Sequence, residues 1–319
     1  MTSNEEVDGG GSGRITLVPV KRRVRAEPSE AGKGRGRPAR APPDRAAGNA
    51  GKGAVVLRAG YFDADKFERS KRIGWFNFDL IRKEKVLVVG AGALGNEVIK
   101  NLVLSGYRQI SLVDMDRVVY SNLNRCVFFS EEDSRKKRFK AEVVARKAAL
   151  LDPEVKIAPF TRRIEELPEG FIRGFGLVFG CLDNIAARLH LNAHTYPRGI
   201  PYIDGATLGT IGKVQVVLPP ETPCLECGMN RTHMKILEKR FSCTGRDVTF
   251  FDPKMAAEIT TTSVIAAVSV REALKLTNGQ RGLCVRNMFY YDATRNVSDV
   301  LQIDRNPNCP HHGGAEASA

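Results

Sequence analysis

The sequence predicts an α/β protein in which a parallel sheet carries helices on both faces and antiparallel strands follow it. Three observations lead there. Between residues 85 and 200 short apolar runs alternate with segments of helical period, the first run ends in a glycine-rich turn, and polar–apolar alternation appears only later. Lys85–Val89 is the first strand, and Leu94, Val98, Ile99, Leu102 and Val103 recur behind it at helical spacing. Ile110–Val113 is a second strand, Lys140–Leu151 a helix and Val155–Pro159 a third strand. Leu177–Cys181 is a further apolar strand leading into a helix from about Ile185. Beyond these, Lys213–Leu218 alternates polar and apolar, Thr260–Leu276 is a helix, and Met288–Asp292 pairs with Val300–Ile303 as a hairpin around Asn296. There is no internal repeat.

A chain of 319 residues is long enough for a sizeable core, and 42% hydrophobic with 27% charged residues excludes fibrous and wholly disordered classes. The longest apolar stretches, around Val86–Val89 and Val264–Val270, fall far short of the roughly 18 residues that span a bilayer. Ile15–Val20 is too short for a signal core, so the expectation is a cytoplasmic protein with no membrane partner. Seven cysteines, an odd number, point to metal ligands or a reactive thiol rather than a disulfide framework.

Net charge is +13, but residues 1–58 hold twelve Lys and Arg against six Asp and Glu, so +6 of it belongs to one Gly-, Pro- and Ala-rich segment. Such a segment buries too little apolar surface to offset its ordering entropy and reads as a disordered basic tail. Within it, Lys33–Pro38 resembles an AT-hook core, which inserts arginines into an A·T-rich minor groove. Nucleic acid is nonetheless the weaker reading, because basic low-complexity tails commonly only solubilise. Residues 59–312 form one continuous domain, and 313–319 are a flexible C-terminus.

Gly90-Ala91-Gly92-Ala93-Leu94-Gly95 lies between a strand and a helix. Glycine suits that place because a Cβ would keep phosphate oxygens from backbone N–H groups, and the helix N-terminus adds partial positive charge. Asp114, 19 residues after Gly95 at the end of the second strand, can accept from ribose hydroxyls. This is a Rossmann-like nucleotide fingerprint, and alone it fits NAD and hydride transfer equally, or a structural turn.

Four motifs further along the chain favour a triphosphate: Asp114-Met115-Asp116, Ser121-Asn122-Leu123-Asn124-Arg125, Lys140-Ala141-Glu142 and Cys181-Leu182-Asp183-Asn184. Arg and Lys neutralise phosphate oxygens and a carboxylate holds magnesium, needs that a dehydrogenase lacks. With these motifs the chain resembles the ubiquitin-activating superfamily, which includes the ThiF and MoeB adenylating enzymes and the catalytic subunits of SUMO- and NEDD-type activating enzymes. The resemblance runs from about Phe67 to His312. It implies that Gly90, Ala91, Gly92 and Gly95 hold the phosphates of ATP, that Asp114 and Asp116 line the nucleotide site with Asp114 on the ribose, that Asn122, Arg125 and Lys140 contact the triphosphate, and that Asp183 binds magnesium. Cys126 stands where the family usually has Gln. Asp183 as a helix cap and Lys140 as a solvated surface group remain the plain alternatives. The family also brings an arginine from one subunit into its dimer partner's ATP site, a role for Arg69 or Arg72 in a homodimer; a solvated helix face is the alternative.

Cys224-Leu225-Glu226-Cys227 has the two-residue gap that lets both thiolates reach one zinc ion, and Cys309-Pro310-His311-His312 offers a second half-site. Cys224, Cys227, Cys309 and His312 would make closed structural zinc tying down the C-terminus, with His311 the alternative fourth ligand; the family usually has four cysteines. Cys243, followed by Thr244 and flanked by Lys239, Arg240 and Arg246, is the candidate nucleophile, since nearby positive charge favours the thiolate. In the SUMO- and NEDD-type subunits the thioester cysteine also precedes a threonine beyond the first zinc pair. Here its domain would shrink to a short catalytic-cysteine loop near 228–258. Cys181 and Cys284 read as core thiols. The resemblance thus implies ATP-dependent adenylation of a ubiquitin-like protein ending in Gly-Gly, a thioester on Cys243, and delivery to a conjugating enzyme; the alternative is a ThiF/MoeB-like sulfur-carrier adenylyltransferase without an obligatory thioester. Only seven residues follow His312, so the conjugating enzyme is expected to use a surface other than a C-terminal ubiquitin-fold module.

Overall fold

The computed structural model describes residues 65–168, 170–229 and 256–312. The expected basic tail 1–58 with its 33–38 motif, Cys243 and most of its loop, and the 313–319 terminus lie outside the described residues.

The strand Lys85–Val89 (β1) forms where the sequence places it, and its apolar run is buried on both faces. It is the centre of an eight-stranded sheet with Gln109–Val113 (β2), Lys156–Phe160 (β3), Leu177–Gly180 (β4), Tyr202–Leu208 (β5), Ile211–Val217 (β6), Met288–Asp292 (β7) and Val297–Leu301 (β8). The order is β3-β2-β1-β4-β5-β6-β7-β8. The first five are parallel and the last three pair antiparallel. Strand order reverses between β1 and β4, and at such a switch point the connections leave for opposite faces and open a crevice at the strands' carboxyl ends.

Helices cover both faces. Val86, Val88, Leu177 and Phe179 share one core with α2 (Ala93–Leu104), α4 (Lys140–Ala148) and α6 (Ile259–Thr277). Leu87, Val89, Val178 and Tyr202 face the other way, onto Ala187 and Leu191 of α5 (Ile185–Thr195). Two short helices, α1 (Phe78–Lys83) and α3 (Glu131–Arg135), complete the chain's helices among the described residues. Of these, no helix is long and apolar enough to cross a membrane.

The structure corrects the sequence reading in four places. The helix expected over 140–151 stops at Ala148, with Ala149 as its cap and the next residues in a turn. The last strand begins three residues early, at Val297, because Asn296 takes a left-handed conformation (φ 53°) that closes a tight turn and pairs Asp292 with Val297. Strand β5 was not expected: Tyr202-Ile203-Asp204-Gly205 has the composition of a turn until the carboxylate is seen to be buried and paired. Helices α1 and α3 were likewise not anticipated; each is barely longer than one turn, too short for a periodic signal.

Candidate functional site

The crevice at the switch point is where the glycine loop lies. Gly90 has φ +100°, and a Cβ there would sit 2.3 Å from the Cys181 carbonyl oxygen. A Cβ on Gly95 would come within 1.9 Å of the Gly90 oxygen, so this glycine lets α2 close onto the loop. Gly92, the N-cap of α2, is different: nothing lies within 4 Å of its Cβ position, which leaves the helix N-terminus open to a ligand.

Asp114, at the end of β2, accepts from Ala91 N at 2.6 Å and from Asp116 N at 2.8 Å. It braces the loop as well as facing the crevice. Burial raises its pKa against the pull of Lys140. Lys140, the first residue of α4, pairs with Asp116 at 2.7 Å. Burial works against its charge, but Asp114 and Asp116 outweigh that and its pKa is raised. The solvated-surface alternative for Lys140 therefore falls away, because its ammonium is held among carboxylates beside the loop.

Asn122 is buried, and its Oδ1 accepts from Val119 N at 3.1 Å, fixing the turn that presents Arg125. The Arg125 guanidinium donates to the Ser121 carbonyl and, at 3.0 Å, to Asn124 Oδ1. Asp183 is exposed in the connection from β4 to α5. The cap of α5 is Asn184, whose Oδ1 accepts from Ala187 N at 3.0 Å, so the capping alternative belongs to Asn184 and not to Asp183. The loop residues 90–95, Asp114, Asp116 and Asp183 thus all follow the carboxyl ends of β1, β2 and β4. A hard cation suits oxygen ligands, and the exposed Asp183 carboxylate fits one corner of a magnesium site.

Arg69 and Arg72 are not part of this gathering. Both are exposed in a short 3-10 turn, Arg72 pairing with Glu68 at 3.4 Å. The adjacent Phe67 packs on Phe78 of α1 with ring centroids 4.8 Å apart, which places the turn beyond the amino end of β1, away from the chain's own glycine loop.

Three supporting residues escaped the sequence reading. Asn96 is fully buried; its amide donates to Ala91 O at 2.8 Å and Gly92 O at 3.0 Å and accepts from Phe128 N at 3.0 Å, tying the loop to the segment that follows the Ser-Asn-Leu-Asn-Arg turn. A polar residue among Leu94, Val98 and Ile99 was the available signal. Arg188 of α5 donates from Nε to Asp204 Oδ1 at 2.9 Å and from its second nitrogen to Oδ2, and Tyr202 Oη donates to the same carboxylate at 2.9 Å. Burial opposes the charge of Arg188, yet Asp204 more than restores it and its pKa is raised.

The four expected metal ligands do converge. Their ligand atoms lie within 4.8 Å of one another: Cys224 and Cys227 sulfurs are 3.9 Å apart, Cys224 and Cys309 3.4 Å, and Cys227 Sγ is 2.9 Å from His312 Nε2. Tetrahedral zinc with bonds of about 2.3 Å to sulfur needs sulfurs about 3.8 Å apart, so the cluster fits such an ion. His311 lies outside this cluster, with its Nε2 2.7 Å from a Glu226 carboxylate oxygen. Burial pushes the Cys126 and Cys284 thiols up to about 11, and Cys181 higher still, so none is primed as a nucleophile.

The fold and this crevice define a nucleotide-binding α/β protein built around a topological switch point. The chain belongs to the ThiF family, whose model matches residues 69–311. It is 37% identical over 177 residues to the NEDD8-activating enzyme E1 catalytic subunit of Caenorhabditis elegans, covering 50% of this chain and 41% of that one. Against SUMO-activating enzyme subunit 2 of Dictyostelium discoideum it is 36% identical over 157 residues, 49% of this chain and 23% of the relative. The chain therefore spans well under half the length of these curated relatives. In fold it is similar to the crystal structure of E. coli MccB with ATP, at a TM-score of 0.63, 20% identity, and coverage of 79% of this chain and 75% of that one.

Proposed function

We propose that this chain uses ATP and magnesium to adenylate the C-terminal glycine of a ubiquitin-like protein and then takes the acyl group as a thioester on Cys243. The observation that carries the reading is the joint placement of the open α2 N-terminus, Asp114, Lys140 and Asp183 around one crevice, in a chain whose relatives are named NEDD8- and SUMO-activating. The carboxylate attacks the α-phosphorus, an oxygen–phosphorus bond forms, and pyrophosphate leaves. A carboxylate is a poor electrophile; its adenylate, with AMP as leaving group, admits attack by a thiolate, which forms the carbon–sulfur bond as AMP departs. Asp114 holds the ribose while Arg125 and Lys140 place positive charge against the triphosphate. Magnesium held by Asp183 would neutralise phosphate charge. Zinc held by Cys224, Cys227, Cys309 and His312 would stabilise the fold and take no part in the reaction. Arg69 or Arg72 would complete the site of the second copy in a cytoplasmic homodimer, and a conjugating enzyme would receive the thioester.

One observation favours the sulfur-carrier alternative: only thirty residues separate Gly228 from Ile259, fewer than the roughly 40 below which a segment rarely folds alone. Pyrophosphate exchange against ubiquitin-like proteins ending in Gly-Gly tests the first step, and a non-reducing gel tests the second. Cys243→Ala should retain exchange and lose a reductant-sensitive adduct. Wild-type exchange without any adduct selects the sulfur-carrier reading, and no exchange with any such protein rejects both.

A further inference from the structure

The Cys224–Cys227 turn is held by side chains from two elements. Gln215 of β6 donates through Nε2 to the Cys224 carbonyl at 3.2 Å. Asn192 of α5 accepts from Leu225 N through Oδ1 at 2.9 Å. Both side chains are buried, Asn192 completely at 0% exposure. They differ in one respect. The Gln215 donor is satisfied by a backbone oxygen, whereas Asn192 Nδ2 is buried without a satisfied hydrogen bond. Leu225 N–H can only donate, so the amide cannot be turned the other way round to relieve this. Oδ1 grips the amide of the residue that follows Cys224, and Nδ2 belongs to the same planar carboxamide, so the orphaned donor is held beside the Cys224 end of the turn.

A buried amide N–H without a partner costs about 1–3 kcal/mol, and a neutral thiol is a weak acceptor. A metal-bound thiolate is a charged one, and hydrogen bonds to charged acceptors are roughly twice as strong. We infer that Asn192 is a positioning residue of the metal centre: its Nδ2 donates an N–H···S hydrogen bond to the metal-bound Cys224 sulfur while its Oδ1 holds the Leu225 amide. The inference rests on the reading of this cluster as a zinc site. It gives the orphaned donor its acceptor, and it means that the metal grips α5 directly. The same helix starts two residues after Asp183, so metal centre and crevice share one rigid element.

The test uses the full chain loaded with cobalt(II), whose sulfur-to-metal charge-transfer band reports electron density on the thiolates. Asn192→Leu removes the donor to sulfur. Gln215→Leu is the control, removing an equally buried bond to the same turn without touching sulfur. The band should move to lower energy in Asn192→Leu alone, and transfer of zinc from that variant to a chelator should be about 10–100-fold faster than wild type. Cobalt bound with the same spectrum and release as wild type, or an equal shift in both variants, would overturn the role of Asn192. Failure of wild type to bind cobalt or zinc would instead overturn the metal site itself. Should Asn192→Leu not fold, cadmium-113 in the wild-type chain decides: a correlation from the metal to the Asn192 side-chain amide protons is expected, and cysteine and histidine correlations without it would sink the inference.

Discussion

The pair formed by Arg188 and Asp204 offers a quantitative check on how α5 is held to the sheet. Asp204 has 0% exposure and the Arg188 side chain 13%, so neither charge can recover hydration if its partner is lost. Removing one member of a buried pair costs about 3–5 kcal/mol, whereas replacing both with apolar residues of similar volume is often close to neutral. Asp204→Leu also strands the Tyr202 hydroxyl, which adds about 1–3 kcal/mol. The single variant should therefore lose about 4–8 kcal/mol. For a domain of this size each kcal/mol lowers Tm by roughly 2–4 °C, so a fall of about 10 °C or more is expected. In Arg188→Met/Asp204→Leu the Tyr202 cost remains but the uncompensated guanidinium is gone, and stability should recover by about 3 kcal/mol. The measurement is a double-mutant cycle by denaturant unfolding with pyrophosphate exchange run in parallel. Additivity of the two single losses to within about 0.5 kcal/mol would refute the argument, because it would mean that the charges do not depend on each other.

Glu258 caps α6 by accepting from the Thr260 and Thr261 amides and the Thr261 hydroxyl, hydrogen bonds that lower its pKa from 4.5 to about 2. Its contribution is fully present above pH 4.5 and is lost as pH falls toward 2, so a plot of Tm against pH for Glu258→Gln should be flatter than wild type across that window; parallel curves would reject the assignment. Cys309→Ser should lower both bound zinc, from one per chain, and Tm, since a metal that binds only the folded form adds its binding free energy to stability; metal analysis of protein purified without chelator checks this. Mixing an Arg69→Ala/Arg72→Ala chain with an Asp183→Asn chain, each inactive alone, should restore part of the exchange activity through a complete site in the mixed dimer. No recovery in a verified mixed dimer would remove the arginines from the reaction.

Much of this site was legible because its chemistry is local. The glycine loop announces itself through three glycines and a strand before them, and the CxxC gap is short enough to be read without a fold. Asp114 and Lys140 were legible as types, but not the fact that the Asp114 oxygens brace the Ala91 amide, because that contact spans 23 residues of sequence. Asp204 was passed over for the opposite reason. A carboxylate beside glycine looks like a turn, and only Arg188, sixteen residues earlier on a different element, makes it a strand residue. Asn96 and Asn192 were lost among apolar helix positions, where period alone cannot say which polar group will find a partner.

Helix α5 carries a constraint on how this sequence can vary in length. Asn184, Arg188 and Asn192 engage the Ala187 amide, Asp204 and the Leu225 amide in turn, at intervals of four residues. A single inserted residue advances a helix by about 1.5 Å and rotates everything after it by roughly 100°. An insertion between 185 and 188 would therefore swing the guanidinium and the second asparagine off their targets together, leaving only the cap in place. One codon gained or lost there should be tolerated far less than several in the connection between Gly228 and Ile259, so that length changes among functional variants of this chain should collect in the latter and avoid the former.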